Sequence, residues 1–235
     1  MITQLEHCQA HFIGLDIGKE QDNSAITVLA RRIEAAEPLA PEPGTTIVSY
    51  YAVMLKRFPL QTPYYVVEEE VDRVWRIPQM ATHEKYLVVD STGVGSPVVE
   101  NLVRLRHLPA QAVVITSGES ARRTADGVYN VSKSNLVTAL VDVIQRGRLK
   151  LIEGVDDIDV FFEQLEGFGY KVNRDTGTLA YEAMKAKIHD DLVMSTALAV
   201  WYAERVRPYM LPDRGNDGGY EGYNPLTFGM EGGKR

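Results

Sequence analysis

At 235 residues, 45% hydrophobic and 24% charged, the chain is long enough to bury a core and has the composition of a globular domain. A single cysteine, Cys8, excludes an internal disulfide, no apolar run approaches the length of a bilayer span, and the N-terminus lacks a secretory pattern, so the chain reads as cytoplasmic. The net charge of −7 runs against a simple nucleic-acid binder, which usually carries a basic face, although cation sites need carboxylates and the bases do group, as at Lys56-Arg57, Arg122-Arg123 and Lys185/Lys187.

Residues 12–18 and 24–31 are β-rich and joined by the polar turn 19–23, which predicts a hairpin. The proline-rich stretch 34–45 reads as a surface loop, followed by a third strand near Thr46 to Arg57. Tyr64, Val67, Val71, Val74, Trp75 and Ile77 recur at helical spacing and predict a helix over 63–81. Tyr86 to Asp90 (YLVVD) has the continuous apolar run of a strand buried on both faces. A helix over about 96–107 and a strand over 112–116 follow, and the polar stretch 117–131 reads as a mobile loop. Ser132 is placed to cap a helix running to Arg146. Next come a strand at 149–152, a helix over about 156–166, and two short strands flanking the turn Arg174-Asp175-Thr176-Gly177. A last helix over about 190–205 ends before Pro208. This order implies an α/β fold: a mixed central sheet, antiparallel at its start and then parallel, with helices on both faces.

Asp16 shares its strand face with Phe12 and Gly14. A carboxylate facing a core costs several kcal/mol unless it is paired or binds a metal. Gly14 and Gly18 leave room beside it for another group. Read alone, Asp16 can equally be a strand-end turn residue beside Lys19. Asp90 ends the most buried-looking strand, where catalytic groups of α/β sheets gather, but it can also cap the Ser91-Thr92-Gly93 bend. Asp190 and Asp191 open the last helix, where acids also serve as caps. One of the pair can cap while the other faces the sheet, and the small residues Ser195, Ala197 and Ala199 let that helix lie close to it.

Together these acids form an oxygen-rich nest suited to Mg²⁺ or Mn²⁺. Two such ions can activate a water and stabilise the leaving oxygen of a phosphodiester. No Cys/His set spaced for zinc is visible, nor a G-x-S-x-G element. Gly14 to Lys19 imitates a phosphate-binding loop but is one residue short, and Glu20 stands where that loop has Ser or Thr.

The segments FIGLDIGKEQDNSAITVL, YLVVDSTGVGSPVVENL, VSKSNLVTALVDVIQRGRLKL and IHDDLVMSTALAVW, in this order over about residues 10–205, resemble the C-terminal nuclease domain of the large terminase subunit of tailed phages. The resemblance implies an RNase H-like fold and a nuclease that cuts double-stranded viral DNA during packaging, in the cytoplasm of the host. It carries Asp16 to the first-strand acid, Asp90 to the central-strand acid and Asp191 to the helix acid, with Asp190 a candidate second-ion ligand and the principal ligand of that pair left open. The Arg174–Gly177 hairpin resembles a family element beside the DNA groove, and Arg122, Arg123, Lys133, Lys185 and Lys187 are candidate phosphate contacts, although each taken singly reads better as solvated surface charge. The implied partners are DNA, an ATPase domain, a small terminase subunit and a portal. The expected organisation is an N-terminal extension (1–10), the nuclease domain (11–208) and a disordered glycine-rich tail (209–235). Three rival readings stay open: a junction-resolving nuclease, a sugar-kinase/actin-like ATP-binding domain suggested by GLDIG and DSTGVG, and a non-catalytic DNA-binding or assembly module.

Overall fold

The computed structural model describes residues 8–18, 21–35, 46–117, 121–167, 170–172, 179–181 and 189–209. The first three strands, β1 (Ala10–Asp16), β2 (Ala25–Ala35) and β3 (Thr46–Arg57), form an antiparallel meander. Helix α1 (Tyr64–Trp75) leads to β4 (Glu84–Asp90), and α2 (Gly95–Arg104) to β5 (Ala110–Thr116). Then come β6 (Ala121–Arg123), β7 (Tyr129–Ser132), α3 (Lys133–Gln145), β8 (Leu149–Leu151) and α4 (Ile158–Gly167). A separate two-stranded ribbon, β9 (Tyr170–Val172) with β10 (Leu179–Tyr181), precedes α5 (Asp191–Trp201), which runs on into a π-helical turn over Tyr202–Val206.

The main sheet has the order β6-β7-β5-β4-β1-β2-β3-β8. Strands β1, β4, β5 and β7 run parallel, and β8 runs parallel to β3. This is the mixed sheet anticipated from the pattern of hairpin first and crossovers later. One face packs Phe12, Leu29, Tyr50 and Val88 against α3, α4 and α5. The other packs Ile13, Leu15, Ile26, Leu87 and Val89 against α1 and α2. The β1 side chains are buried on both faces up to Leu15, so the strand is central, and Asp16 is its first half-buried residue.

Two expectations are corrected. The helix after Pro63 ends at Trp75 rather than near 81, because Pro78 has no N–H to continue the ladder; a 3₁₀ turn at Pro78–Met80 follows. The polar stretch 117–131 holds the antiparallel pair β6–β7, with Ala121 opposite Val131 and Arg123 opposite Tyr129. Gly127, at φ +89°, takes the left-handed turn that the Asp126-Gly127 pair favours. The Arg174–Gly177 turn, Lys185, Lys187 and the segment 211–235 lie outside the described residues.

Helix α5 is buried along its whole length, and its backbone rests on β1 at Gly14. A Cβ built on Gly14 would stand 1.9 Å from the Ser195 carbonyl oxygen, so only glycine admits this approach. Thr27 Oγ1 lies 2.9 Å from both Ser195 Oγ and Thr196 Oγ1, which satisfies three buried hydroxyls where the helix crosses β2.

Candidate active site

Strands β1 and β4 are in parallel register, with Leu15 opposite Val89, so Asp16 and Asp90 come next at the carboxyl ends of neighbouring central strands. The N-terminus of α5 arrives at the same edge. A cleft of about 260 Å³ opens there, with Asp16, Asp22, Asp90, His189, Asp190 and Asp191 on its walls. The four aspartates singled out from sequence therefore share one cleft, although they come from three places far apart in the chain.

Their electrostatics differ. Burial, followed by repulsion from Asp90, Asp190 and Asp191, pushes the Asp16 carboxyl well above the usual carboxylate range, with Lys133 opposing. Burial raises Asp90 too, against hydrogen bonds from Thr92 and from the carboxyl of Asp16. The backbone N–H of Thr92 donates to Asp90 Oδ1 at 2.8 Å, so Asp90 caps its bend as well as facing the cleft.

Asp190 occupies the N-cap position of α5 but makes no capping bond; its carboxylate pairs with the half-exposed Lys133 ammonium. The cap comes from Gln164 on α4, whose amide oxygen accepts from the N–H of Leu192 (2.9 Å) and of Val193 (3.2 Å). Its amide nitrogen donates to Asp191. Arg57, at the end of β3, donates from Nε to the other Asp191 oxygen at 2.6 Å. Asp191 is thus 4% exposed with both oxygens engaged, while the Asp190 carboxylate is held, among the described residues, by the half-exposed Lys133. With these contacts in place, no three of the four aspartates bring ligand oxygens within 4.8 Å of one another.

Gln164, Arg57, Asp22 and His189 are the site residues that the sequence reading missed. His189 Nδ1 lies 3.3 Å from Asp22 Oδ1 across the cleft mouth. Adjacency to Asp190 was the available signal for His189; Gln164 and Arg57 reach the site only through packing. Of the proposed phosphate contacts, Lys133 stands at the cleft. Arg122 and Arg123 are exposed on the edge strand β6, the latter with its guanidinium 5.5 Å from the Tyr129 ring centre.

The mixed sheet with its antiparallel start and parallel run is an RNase H-like fold. The chain belongs to the family of the terminase RNaseH-like domain, which matches residues 63–202 and so includes Asp90, Asp190 and Asp191 but not Asp16. Among solved structures, the large terminase nuclease from thermophilic phage G20c is 23% identical, with 81% of this chain and 80% of that chain covered and a TM-score of 0.47; a second structure of it has bound magnesium. The human cytomegalovirus terminase nuclease domain, manganese-soaked and inhibitor-bound, is 10% identical over 84% of each chain, with a TM-score of 0.49. The large terminase nuclease domain of bacteriophage SPP1, with bound manganese, is 11% identical over 84% of this chain and 87% of that one, with a TM-score of 0.43. No curated protein matches the chain in sequence. Among the described residues, no helix is long and apolar enough to cross a membrane.

Proposed function

We propose that this chain is a metal-dependent endonuclease that cuts double-stranded DNA with little sequence preference, as the nuclease part of a viral packaging machine. The observation that carries the reading is the crowding of Asp16, Asp90, Asp190 and Asp191 around one cleft, tight enough that Asp16 resists ionisation. Such a cluster ionises readily only beside a cation, and its donors are oxygens alone, which suits Mg²⁺ or Mn²⁺. Asp16 and Asp90 would hold the metal.

For the third position the hydrogen bonding favours Asp190. Among the described residues its carboxylate gives up a lysine contact, whereas Asp191 would have to break bonds to both Arg57 and Gln164. Asp191 then acts by keeping α5 seated and adding negative field. One divalent ion, or a pair, held by these carboxylates would supply Lewis acidity to a water and to a phosphate oxygen. Lys133, once released from Asp190, offers its ammonium to a phosphate oxygen. His189 and Asp22 flank the entrance, where a DNA strand would pass.

The same reading takes residues 11–208 as the nuclease domain, with 1–10 as an extension and 209–235 as a tail. It places the protein in the host cytoplasm beside an ATPase domain, a small terminase subunit and a portal. The test is plasmid cleavage in Mg²⁺ and in Mn²⁺. Asp16→Asn and Asp90→Asn each abolish cutting while preserving the circular dichroism spectrum, and full activity in either variant refutes the site. Asp190→Asn weakens metal binding more than Asp191→Asn does, a difference that isothermal titration reads directly.

A further inference from the structure

At the opposite end of the sheet three side chains with nitrogen and sulfur donors meet. Cys8 precedes β1, His11 sits within it, and His83 lies just before β4. Cys8 Sγ is 3.2 Å from His11 Nε2 and 3.5 Å from His83 Nδ1, and the two imidazole centres are 5.3 Å apart. One ligand atom from each lies within 4.8 Å of the others. A tetrahedral zinc ion with Zn–S about 2.3 Å and Zn–N about 2.0–2.1 Å sets sulfur and nitrogen roughly 3.5 Å apart, so the cluster is already near that spacing. His83 stands far along the chain from Cys8 and His11, which hides the set from any spacing rule and is why the sequence shows no zinc pattern.

We propose that Cys8, His11 and His83 form a second metal site, distinct from the aspartate cleft, that takes zinc. The donor chemistry separates the two sites: borderline-soft nitrogen and sulfur here, hard carboxylate oxygen there. Cys8 and His11 are buried, while His83 is only partly so and leaves a route for the ion. On binding, the Cys8 thiol releases its proton to solvent, and the thiolate and one lone pair of each neutral imidazole bond the ion, with no change of oxidation state. Two cations stand near enough to act on the cluster, and each has a contact of its own: Lys85 Nζ donates to the Trp75 carbonyl at 2.8 Å, and the Arg32 guanidinium lies 4.6 Å from the Tyr51 ring centre. Three protein donors leave a fourth position for water, and the ion would tie the start of β1 to the approach to β4.

Cobalt(II) titration of the chelator-treated protein tests this, because Cys8 is the sole cysteine and any thiolate-to-cobalt absorption in the near ultraviolet reports on it. The expected result is a band that saturates at one equivalent, disappears when zinc is added, and accompanies a rise in melting temperature. Cys8→Ser removes the band, and His83→Gln weakens or removes it; His83→Gln carries the test if Cys8→Ser fails to fold. Asp16→Asn leaves the band intact. A folded wild-type protein that shows no band overturns the site, and so does zinc binding that is unchanged in both variants.

Discussion

Asp16 is where the tension of this site is concentrated. Its proton is held more tightly in the folded chain than in the unfolded one, so in the absence of metal its contribution to stability falls as pH rises from the unfolded value toward the folded one. Asp16→Asn removes the repulsion and keeps the shape. In chelator at neutral pH the variant should melt above the wild type, with a smaller loss of stability as pH rises from the ordinary carboxylate range toward neutrality. Adding Mn²⁺ should raise the melting temperature of the wild type only. A variant less stable than the wild type under chelation would show that Asp16 is paired rather than strained. Glu204 behaves in the opposite sense. Burial raises it, but hydrogen bonds from Arg148 and Tyr50, together with the charge of Arg148, leave it below the ordinary range. Its contribution is complete above the unfolded value of about 4.3 and is lost as pH falls below it. Glu204→Gln should cost roughly 1–3 kcal/mol at neutral pH in urea denaturation, with the gap to wild type closing as the solution is acidified.

Among the elements, α5 fixes the site, and Gln164 fixes α5. Its single amide group caps the Leu192 and Val193 N–H groups and bonds Asp191. Gln164→Leu leaves those groups buried without partners and should cost about 2–4 kcal/mol, with weakened cleavage among the molecules that remain folded. Thermal denaturation alongside plasmid cleavage measures both effects. The close seat on Gly14 is as demanding: Gly14→Ala forces the helix outward and should lower stability by about 1–3 kcal/mol or more. Much of this scale was readable. The alternation around Asp16, the apolar run of YLVVD and the small residues of α5 each state a local preference that the tertiary fold respects. The β6–β7 hairpin was missed because β6 is a three-residue polar strand at the sheet edge and β7, though inside the sheet, is only four residues long, so that only Asp126-Gly127 announced it. Gln164 could not be found, since its role depends on contacts 27 to 29 residues away.

For the whole molecule, a net charge of −7 sets the terms on which it meets a polyanion. Affinity for duplex DNA should be modest and should fall steeply with salt. Replacing Arg122 and Arg123 by alanine should flatten the slope of log K against log salt by about 0.9 for each phosphate no longer neutralised. An unchanged slope, measured by fluorescence anisotropy on a duplex, would remove β6 from the DNA path. The global arrangement was legible because hairpin and crossover have different sequence periods. The convergence of Arg57 and Lys133 on the aspartates was not, because it is a property of strand order and not of any segment.

At the boundary between β1 and β4 the chain leaves the sheet in opposite directions. From β1 it turns back into β2 on one side, and from β4 it crosses through α2 to β5 on the other. Two connections diverging from adjacent parallel strands open a crevice between them. Its two lips, one following Asp16 and the other at residues 91–94, are therefore anchored independently. Either can lengthen, shorten or change charge without disturbing the strands beneath, so what enters the crevice can be retuned while its acidic floor stays fixed.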